Sequence, residues 1–276
     1  ALRWLKDIAN GIPIALLRAD LREIERYQDH LDKQTVIFNL AGQSGAAKSI
    51  IESHNDMQSN VEGNLTLLEG VRKCFSRPRV VFVSSRLVYS AADGQPVAED
   101  HTPSPLSIYG LHKLTVEHYY RLYYQHHSIP YTVMRLTNPY GPYQLPDRRG
   151  YGVINFFIMQ AVRNEEITIY GDGKQTRSFC YVDDLIEGMY RLMNREEFQG
   201  PVNIGNPEEY TIKELAEKII KFTNSKSELT FENLPTDDPL QRKPDISLAK
   251  EMLDWEPEVS VDDGINKTIE YFKTLT

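Results

Sequence analysis

Two hydrophobic periods alternate along this chain, and that alternation limits the fold more than any other feature. Short β-branched and apolar runs recur at TVIFNLA (35–41), RVVFVSS (79–85) and YTVMRLTN (131–138). Bounded by turn residues, such runs read as buried strands. The segments between them have helical spacing. One extends from about Met57 to Phe75, with Val61, Leu65, Leu68 and Val71 on one stripe; another extends from about Ser107 to His126. Parallel strands need long return connections, so strand, helix, strand, helix, strand is the pattern of a parallel sheet with crossover helices.

The character changes after Arg135. NPYGPYQLPDRRGYG, rich in Gly, Pro and Tyr, reads as an irregular connection. Helices are expected over 153–164, 182–194, 211–223 and 262–273, mixed with the strands ITIYG (167–171), VNIG (202–205) and LTFEN (229–233). The expected class is α/β: a doubly wound parallel sheet in 1–150, a smaller α+β portion in 151–276, and a chain that crosses back between them. A nucleotide-binding sheet of this kind opens with a strand, a glycine-rich turn and a helix. This chain opens on helix-like LRWLKDIA, its first strand-like piece is IPIALLRAD (12–20), and Gly11 is the only glycine before Gly42. A front unit of roughly 30–40 residues is therefore expected in a longer parent.

Composition narrows the partners. The 276 residues carry 31 Lys plus Arg against 39 Asp plus Glu, a net charge of -8. No bulk basic surplus exists to displace counterions, so no nucleic-acid partner is expected. No apolar run approaches the ~18 residues of a membrane span, and the N-terminus has no signal-peptide h-region, so no membrane partner is expected. Cys74 and Cys180 form neither a disulfide framework nor a metal-ligand spacing. A reducing cytoplasm and no metal are the matching expectations.

Chemistry first suggests itself at Tyr109-x-x-x-Lys113. Four residues at a helix start put both side chains on one face, where an ammonium favours the phenolate. Spacing alone assigns nothing, because Tyr170-x-x-x-Lys174 repeats it. Context adds weight. Ser84 and Ser85 end the 79–85 strand at the sheet edge where such folds bind ligands, and Ser85 lies 24 residues before Tyr109. Ser85 could share a substrate oxygen with Tyr109, or merely cap a turn. The stretch HYYRLYYQHH (118–127) fits a packed helix or, being rich in Tyr, a subunit face.

Taken together these segments resemble the extended short-chain dehydrogenase/reductase family, in its nucleotide-sugar epimerase, dehydratase and decarboxylase branch. The likeness runs through ADLRE (19–23), NLAGQ (39–43), NVEGNLTLLE (60–69), VSSRLVY (83–89), YGLHK (109–113), RLTNPYGP (135–142), GDGKQTRSFCYVDD (171–184) and NIGNPEEYT (203–211), in the family's order. DDPLQRKPDISLAKEMLDWEP (237–257) is similar to UDP-glucuronate decarboxylases and related 4-epimerases. The resemblance implies a Rossmann-like sheet, a bound NAD regenerated in each turnover, a nucleotide-sugar substrate and a homodimer through the helices near 57–75 and 107–126. It implies Tyr109 as base, Lys113 lowering its pKa and gripping the ribose, and Ser85 orienting the sugar. Asp20 and Leu21 would lie near the adenine. Asn39, Ala41, Gln43, Asn60 and Ser84 would lie along the cofactor. Asn138, Tyr170, Arg177, Asn203 and Arg242 would serve the substrate, the two arginines pairing with its diphosphate.

Arg86 and Leu87 discriminate within that branch. Similar dehydratases carry Asp-Glu after the residue aligned with Ser85, and decarboxylases carry Glu at the second position. Leucine can neither transfer a proton nor hold charge, so Leu87 favours epimerisation, which needs one base, one hydride acceptor and a keto sugar able to turn over. Arg86 is either a solvated side chain or a contact to an anionic sugar such as a hexuronate. The alternatives are a UDP-glucuronate decarboxylase, a CDP-sugar 2-epimerase, and a non-catalytic nucleotide-sugar-binding or scaffold protein.

Overall fold

A computed structural model describes residues 14–90, 96–144, 152–233 and 243–275. Four strands form its parallel sheet: β1 (Val36–Asn39), β2 (Arg79–Ser85), β3 (Tyr131–Leu136) and β8 (Pro201–Ile204), in the order β1-β2-β3-β8. Short pairs join the rest: β4 (Pro139–Tyr140) with β7 (Cys180–Tyr181), β5 (Ile167–Tyr170) with β10 (Leu229–Glu232), and β6 (Thr176–Ser178) antiparallel to β9 (Glu209–Thr211). The helices are α1 (Gln28–Leu31), α2 (Ala46–Ile51), α3 (Ser53–Met57), α4 (Gly63–Arg72), α5 (Ile108–His127), α6 (Val153–Val162), α7 (Val182–Met193), α8 (Ile212–Thr223), α9 (Ser247–Leu253) and α10 (Val261–Lys273).

The apolar runs become sheet because both faces are covered. Val80, Phe82 and Val133 pack with Leu67, Leu68 and Val71 of α4 and with Val116 and Tyr120 of α5. Their neighbours Val81, Met134, Val202 and Ile204 point the other way, against Leu185 and Leu192 of α7 and Ala249 and Leu253 of α9. A strand buried on both sides loses the polar alternation of a half-exposed one, so these segments read as continuous apolar runs. A third core joins Ile154, Phe157 and Ile158 of α6, Ile167 and Ile169 of β5, Leu215 and Ile219 of α8, and Ile265 and Phe272 of α10.

Two expectations need correction. The strand expected over 12–20 is not formed by its described part, 14–20, which is irregular. Ile14, Leu16 and Leu17 are about half exposed there. Strand propensity is realised only where a neighbouring edge supplies hydrogen bonds and packing. The helix expected from Met57 to Phe75 contains a π turn, Gln58–Glu62, between α3 and α4. The helix-like LRWLKDIA lies outside the described residues. No described helix is long and apolar enough to cross a membrane. Cys74 and Cys180 are buried and unbridged.

Candidate active site

Register places the site. Ser85 aligns with Leu136 across β2 and β3, so both strands deliver their carboxyl ends to one edge. Beside that edge lies a cavity of about 600 Å³, lined by Leu40, Gly42–Gly45, Ser84–Leu87, Tyr109, Lys113, Asn138 and residues of the smaller portion, including Tyr170 and Arg177, but not by Ala41. Among its described lining residues the charged side chains are Arg86, Lys113 and Arg177, and none is acidic.

Ser85 both ends β2 and caps the 3-10 turn Arg86–Val88, its Oγ accepting from the Leu87 N–H at 3.2 Å. The capping reading and the site reading thus hold together, since Ser85 also lines the cavity with Tyr109. Ser107 caps α5 through the Gly110 N–H at 3.1 Å. The Tyr109 N–H, one of the donors a helix start leaves unpaired, donates instead to Ser49 Oγ of α2 at 3.0 Å. Tyr109 is thereby held at the second residue of α5, with Lys113 one turn on. The Lys113 Nζ donates to the Val83 carbonyl at 3.0 Å and lies 4.8 Å from the Phe82 ring centre and 5.7 Å from that of Tyr109.

Burial governs the electrostatics of both side chains. Burial pushes the Tyr109 hydroxyl up to about 12; the Asp56 carboxylate adds to the rise, and the Ser85 hydrogen bond opposes it. Burial pushes Lys113 down to about 8, resisted by the carboxylates of Asp56 and Glu117. Desolvation is the largest influence on both groups.

Below the site lies a buried polar network. Glu117 accepts from Ser84 Oγ at 2.5 Å and from Arg135 Nε and Nη2 at 3.1–3.2 Å and 2.5 Å. Arg135 also donates to the Tyr89 hydroxyl, which donates to Asn203 Oδ1 at 3.1 Å. The Asn203 amide donates to the Val97 and Asp245 carbonyls at 2.9 and 3.1 Å. Asn203 does not line the cavity; it ties β8 to neighbouring loops. Sequence reasoning passed over Glu117, although α5 carries it four residues beyond Lys113 on the same face.

The expected cofactor residues divide similarly. Asn39 is buried and committed to the protein: its Nδ2 donates to Asn64 Oδ1 at 2.6 Å and to the Tyr120 hydroxyl at 3.1 Å, and its Oδ1 accepts from the Ala41 N–H at 3.2 Å. It shapes the loop that follows and does not line the cavity. Asp20 and Leu21 lie at the start of a 3-10 turn away from the lining, and the Arg22 guanidinium beside Asp20 holds its carboxyl down at about 2. Gln43, Asn138, Tyr170 and Arg177 do line it. Asn138 Nδ2 donates to the Ser178 carbonyl at 2.8 Å, and Arg177 is buried with Nη1 donating to the Thr176 carbonyl at 2.6 Å. Arg242 lies outside the described residues.

A dinucleotide fits this loop on one local observation. Gly42 has φ +147°, and a Cβ there would overlap Asn60 Oδ1 and sit 3.8 Å from Lys113 Nζ. Asn60 Oδ1 is buried without a hydrogen-bond partner, while its Nδ2 donates to the Gln43 carbonyl at 3.0 Å. The π turn holding Asn60 therefore presents an unused acceptor beside a bare glycine and the ammonium of Lys113, which suits a ligand hydroxyl.

Residues 4–205 match the model of the NAD dependent epimerase/dehydratase family. The chain belongs to that family. It is 34% identical over 243 residues to UDP-glucuronic acid decarboxylase 1 of Xenopus tropicalis, covering 86% of this chain and 56% of that one. It is 39% identical over 228 residues to UDP-glucuronic acid decarboxylase 6 of Arabidopsis thaliana, covering 79% and 63%. The chain thus spans a little over half the length of these curated relatives. Among solved structures, UDP-glucose 4-epimerase from Thermotoga maritima superposes with TM-score 0.88 at 31% identity, over 94% of this chain and 85% of that one. UDP-glucuronic acid 4-epimerase from Bacillus cereus, solved with UDP-glucuronic acid and NAD, superposes with TM-score 0.89 at 28% identity, over 99% and 85%.

Proposed function

We propose that this chain carries out NAD-dependent epimerisation at C4 of a UDP-hexose or UDP-hexuronate through a transient keto sugar. The observation that carries this reading is the cavity itself: Ser85 and Tyr109 both in its lining, Arg86, Lys113 and Arg177 as its charged residues, and no acidic group among its described lining. A cationic pocket suits a diphosphate, and an arginine next to Ser85 suits a hexuronate carboxylate. Leu87 lines the cavity where a second proton-transfer group would otherwise stand.

The bound nicotinamide would supply reversible hydride acceptance at the sugar carbon. Tyr109 would act as the phenolate, which a positively charged nicotinamide would favour against the value of about 12 in the chain alone; in that form it takes the 4-hydroxyl proton, and Ser85 holds the same oxygen in line. Lys113 opposes the phenolate charge and, with Asn60, grips the ribose; Gln43 and the Gly42 backbone border it. Arg177 meets the diphosphate, with Asn138 and Tyr170 completing the wall. In this assignment residues 1–150 serve the cofactor and 151–276 the sugar nucleotide, with β8 returning to the sheet. A homodimer through α4 and α5 is the matching assembly, and the two unbridged thiols suit a reducing, cytoplasmic setting; sedimentation velocity tests the assembly.

A second reading, UDP-glucuronate decarboxylation, is favoured by the names of the curated relatives. Incubation with UDP-glucuronate and NAD separates the two. UDP-galacturonate without gas release is expected; UDP-pentose with carbon dioxide would instead establish decarboxylation. Tyr109→Phe is expected to lose 10²–10⁴-fold in kcat, on the order of a removed general base. Full turnover by that variant would sink the mechanism, and binding of UDP-sugar with no turnover would favour a non-catalytic role.

A further inference from the structure

Ser49 lies outside the cavity and takes no part in the proposed chemistry, yet it joins two of the cavity's walls. It sits on α2 and is fully buried. Three hydrogen bonds meet at this residue. Its N–H donates to the Gly45 carbonyl at 3.1 Å, its Oγ donates to the Ala46 carbonyl at 2.6 Å, and the same Oγ accepts from the Tyr109 N–H at 3.0 Å. A carbonyl only accepts and an amide N–H only donates, so the hydroxyl proton faces Ala46 and a lone pair faces Tyr109. Gly45 lines the cavity with Gly42, Gln43 and Ser44, and Ser49 does not. One buried residue thus ties the backbone of the cofactor-side loop to the backbone of the proposed base.

The other attachments of both walls bypass Ser49. The loop is held by Asn60 Nδ2, which donates to the Gln43 carbonyl at 3.0 Å, and by Gln43 Nε2, which donates to Asp56 Oδ2 at 3.2 Å. Further along α5, Asp56 Oδ1 accepts from His112 Nδ1 at 2.6 Å, and Lys113 Nζ donates to the Val83 carbonyl at 3.0 Å. Ser107 serves the Gly110 N–H. What falls to Ser49 is the first turn of α5 at Tyr109 itself. A helix start leaves its first N–H groups without partners inside the helix, and a part-buried N–H deprived of its acceptor turns toward another acceptor or toward water. Removing the Ser49 hydroxyl therefore displaces Tyr109 while the loop and the body of α5 stay seated.

We propose that Ser49 is a positioning residue for the Tyr109 base, fixing the Tyr109 backbone to the Gly42–Gly45 loop so that the two walls keep one spacing. The inference deepens the proposed reaction and rests on Tyr109 being its base. Because Ser49 does not line the cavity, its loss should leave substrate binding intact and weaken the transition state, a defect in kcat without one in KM. A displacement of Tyr109 approaching 1 Å corresponds to roughly 10²-fold in kcat.

Ser49→Ala removes the acceptor, and Ser49→Thr keeps it. Ser49→Cys fills nearly the same space with a weak acceptor and replaces alanine if that variant does not fold. Each variant of the full chain is checked by circular dichroism and a thermal melt. The placement of Tyr109 is read from its ¹H–¹³C ring signals in tyrosine-labelled protein, identified by their loss in Tyr109→Phe, and kcat and KM are measured on whichever UDP-sugar turns over. In Ser49→Ala the Tyr109 ring signals should shift, kcat should fall by about 10- to 10²-fold, and KM should stay within about 2-fold of wild type. Ser49→Thr should resemble wild type in all three. A merely structural serine would lower Tm and leave the ring signals and kcat of the folded variant unmoved, and that result overturns the proposal. An equal loss of kcat in a Ser49→Thr variant with wild-type Tm overturns it too. The NMR readout needs neither turnover nor ligand. A wild type that turns over no UDP-sugar, with the ring signals still shifted in Ser49→Ala, would therefore count against the reaction while upholding the tie between Ser49 and Tyr109.

Discussion

Gly110→Ala tests whether the Ser85 and Tyr109 walls of the cavity are held by direct contact. Gly110 is buried at the third residue of α5, directly after Tyr109. An added Cβ would overlap the Leu87 carbonyl oxygen, 3.0 Å from its carbon and 3.1 Å from Pro105 Cβ. Ordinary contacts lie near ~3.5 Å, so relieving the overlap with the carbonyl oxygen requires α5 and the 3-10 turn to separate by about 1 Å. Two stability effects compete. Alanine gains about 1 kcal/mol over glycine in a helix, while overpacking a filled site costs about 1–3 kcal/mol. The net loss is about 1 kcal/mol, or a few degrees in Tm for a chain of this size. Activity should fall far more, because the contact joins the turn capped by Ser85 to the helix that starts with Tyr109. A misplacement near 1 Å costs on the order of 10²-fold, equivalent to about 2.7 kcal/mol of barrier. Thermal melts and kcat on whichever UDP-sugar turns over measure both. A variant with a small drop in Tm and wild-type kcat would refute the claim that this contact sets the Ser85–Tyr109 geometry.

Three further outcomes follow from buried charge. Between pH 8 and 10.5 the unfolded chain holds a proton at Lys113 that the folded chain, with that group pushed down to about 8, releases. Wild-type stability should therefore rise with pH across that window relative to Lys113→Met, by roughly 3 kcal/mol in all, and pH-dependent urea melts of the two check it. Above pH 10 the sign reverses at Tyr109, whose folded value near 12 means that the unfolded chain loses its proton first; Tyr109→Phe should be less alkali-sensitive than wild type. Glu117→Ala should cost about 3–5 kcal/mol by stranding the Arg135 guanidinium in the core, and an unchanged urea midpoint would contradict that account.

The strands were legible in sequence because β2, β3 and β8 are buried on both faces and so appear as unbroken apolar runs. The Ser85, Tyr109 and Lys113 trio was legible because a strand end and one helical turn are local geometries. Asn39 and Asn203 lie outside the cavity lining for a physical reason. A motif locates the backbone near a site, but side-chain direction depends on Asn64 and Tyr120 in one case, and on Tyr89, Val97 and Asp245 in the other. The run at 14–20 misled because apolar composition cannot report whether a partner edge exists. Asp56 and His112 left no signal, since no periodicity links residues 56 positions apart.

Sequence by itself determined the parallel sheet, the helices that cover it and the tyrosine–lysine face at the start of α5, all consequences of short-range periodicity and burial. Only the tertiary structure decided the charge balance around Tyr109. That balance depends on desolvation and on the distance to carboxylates from other elements, and both quantities come into existence only when the chain has packed.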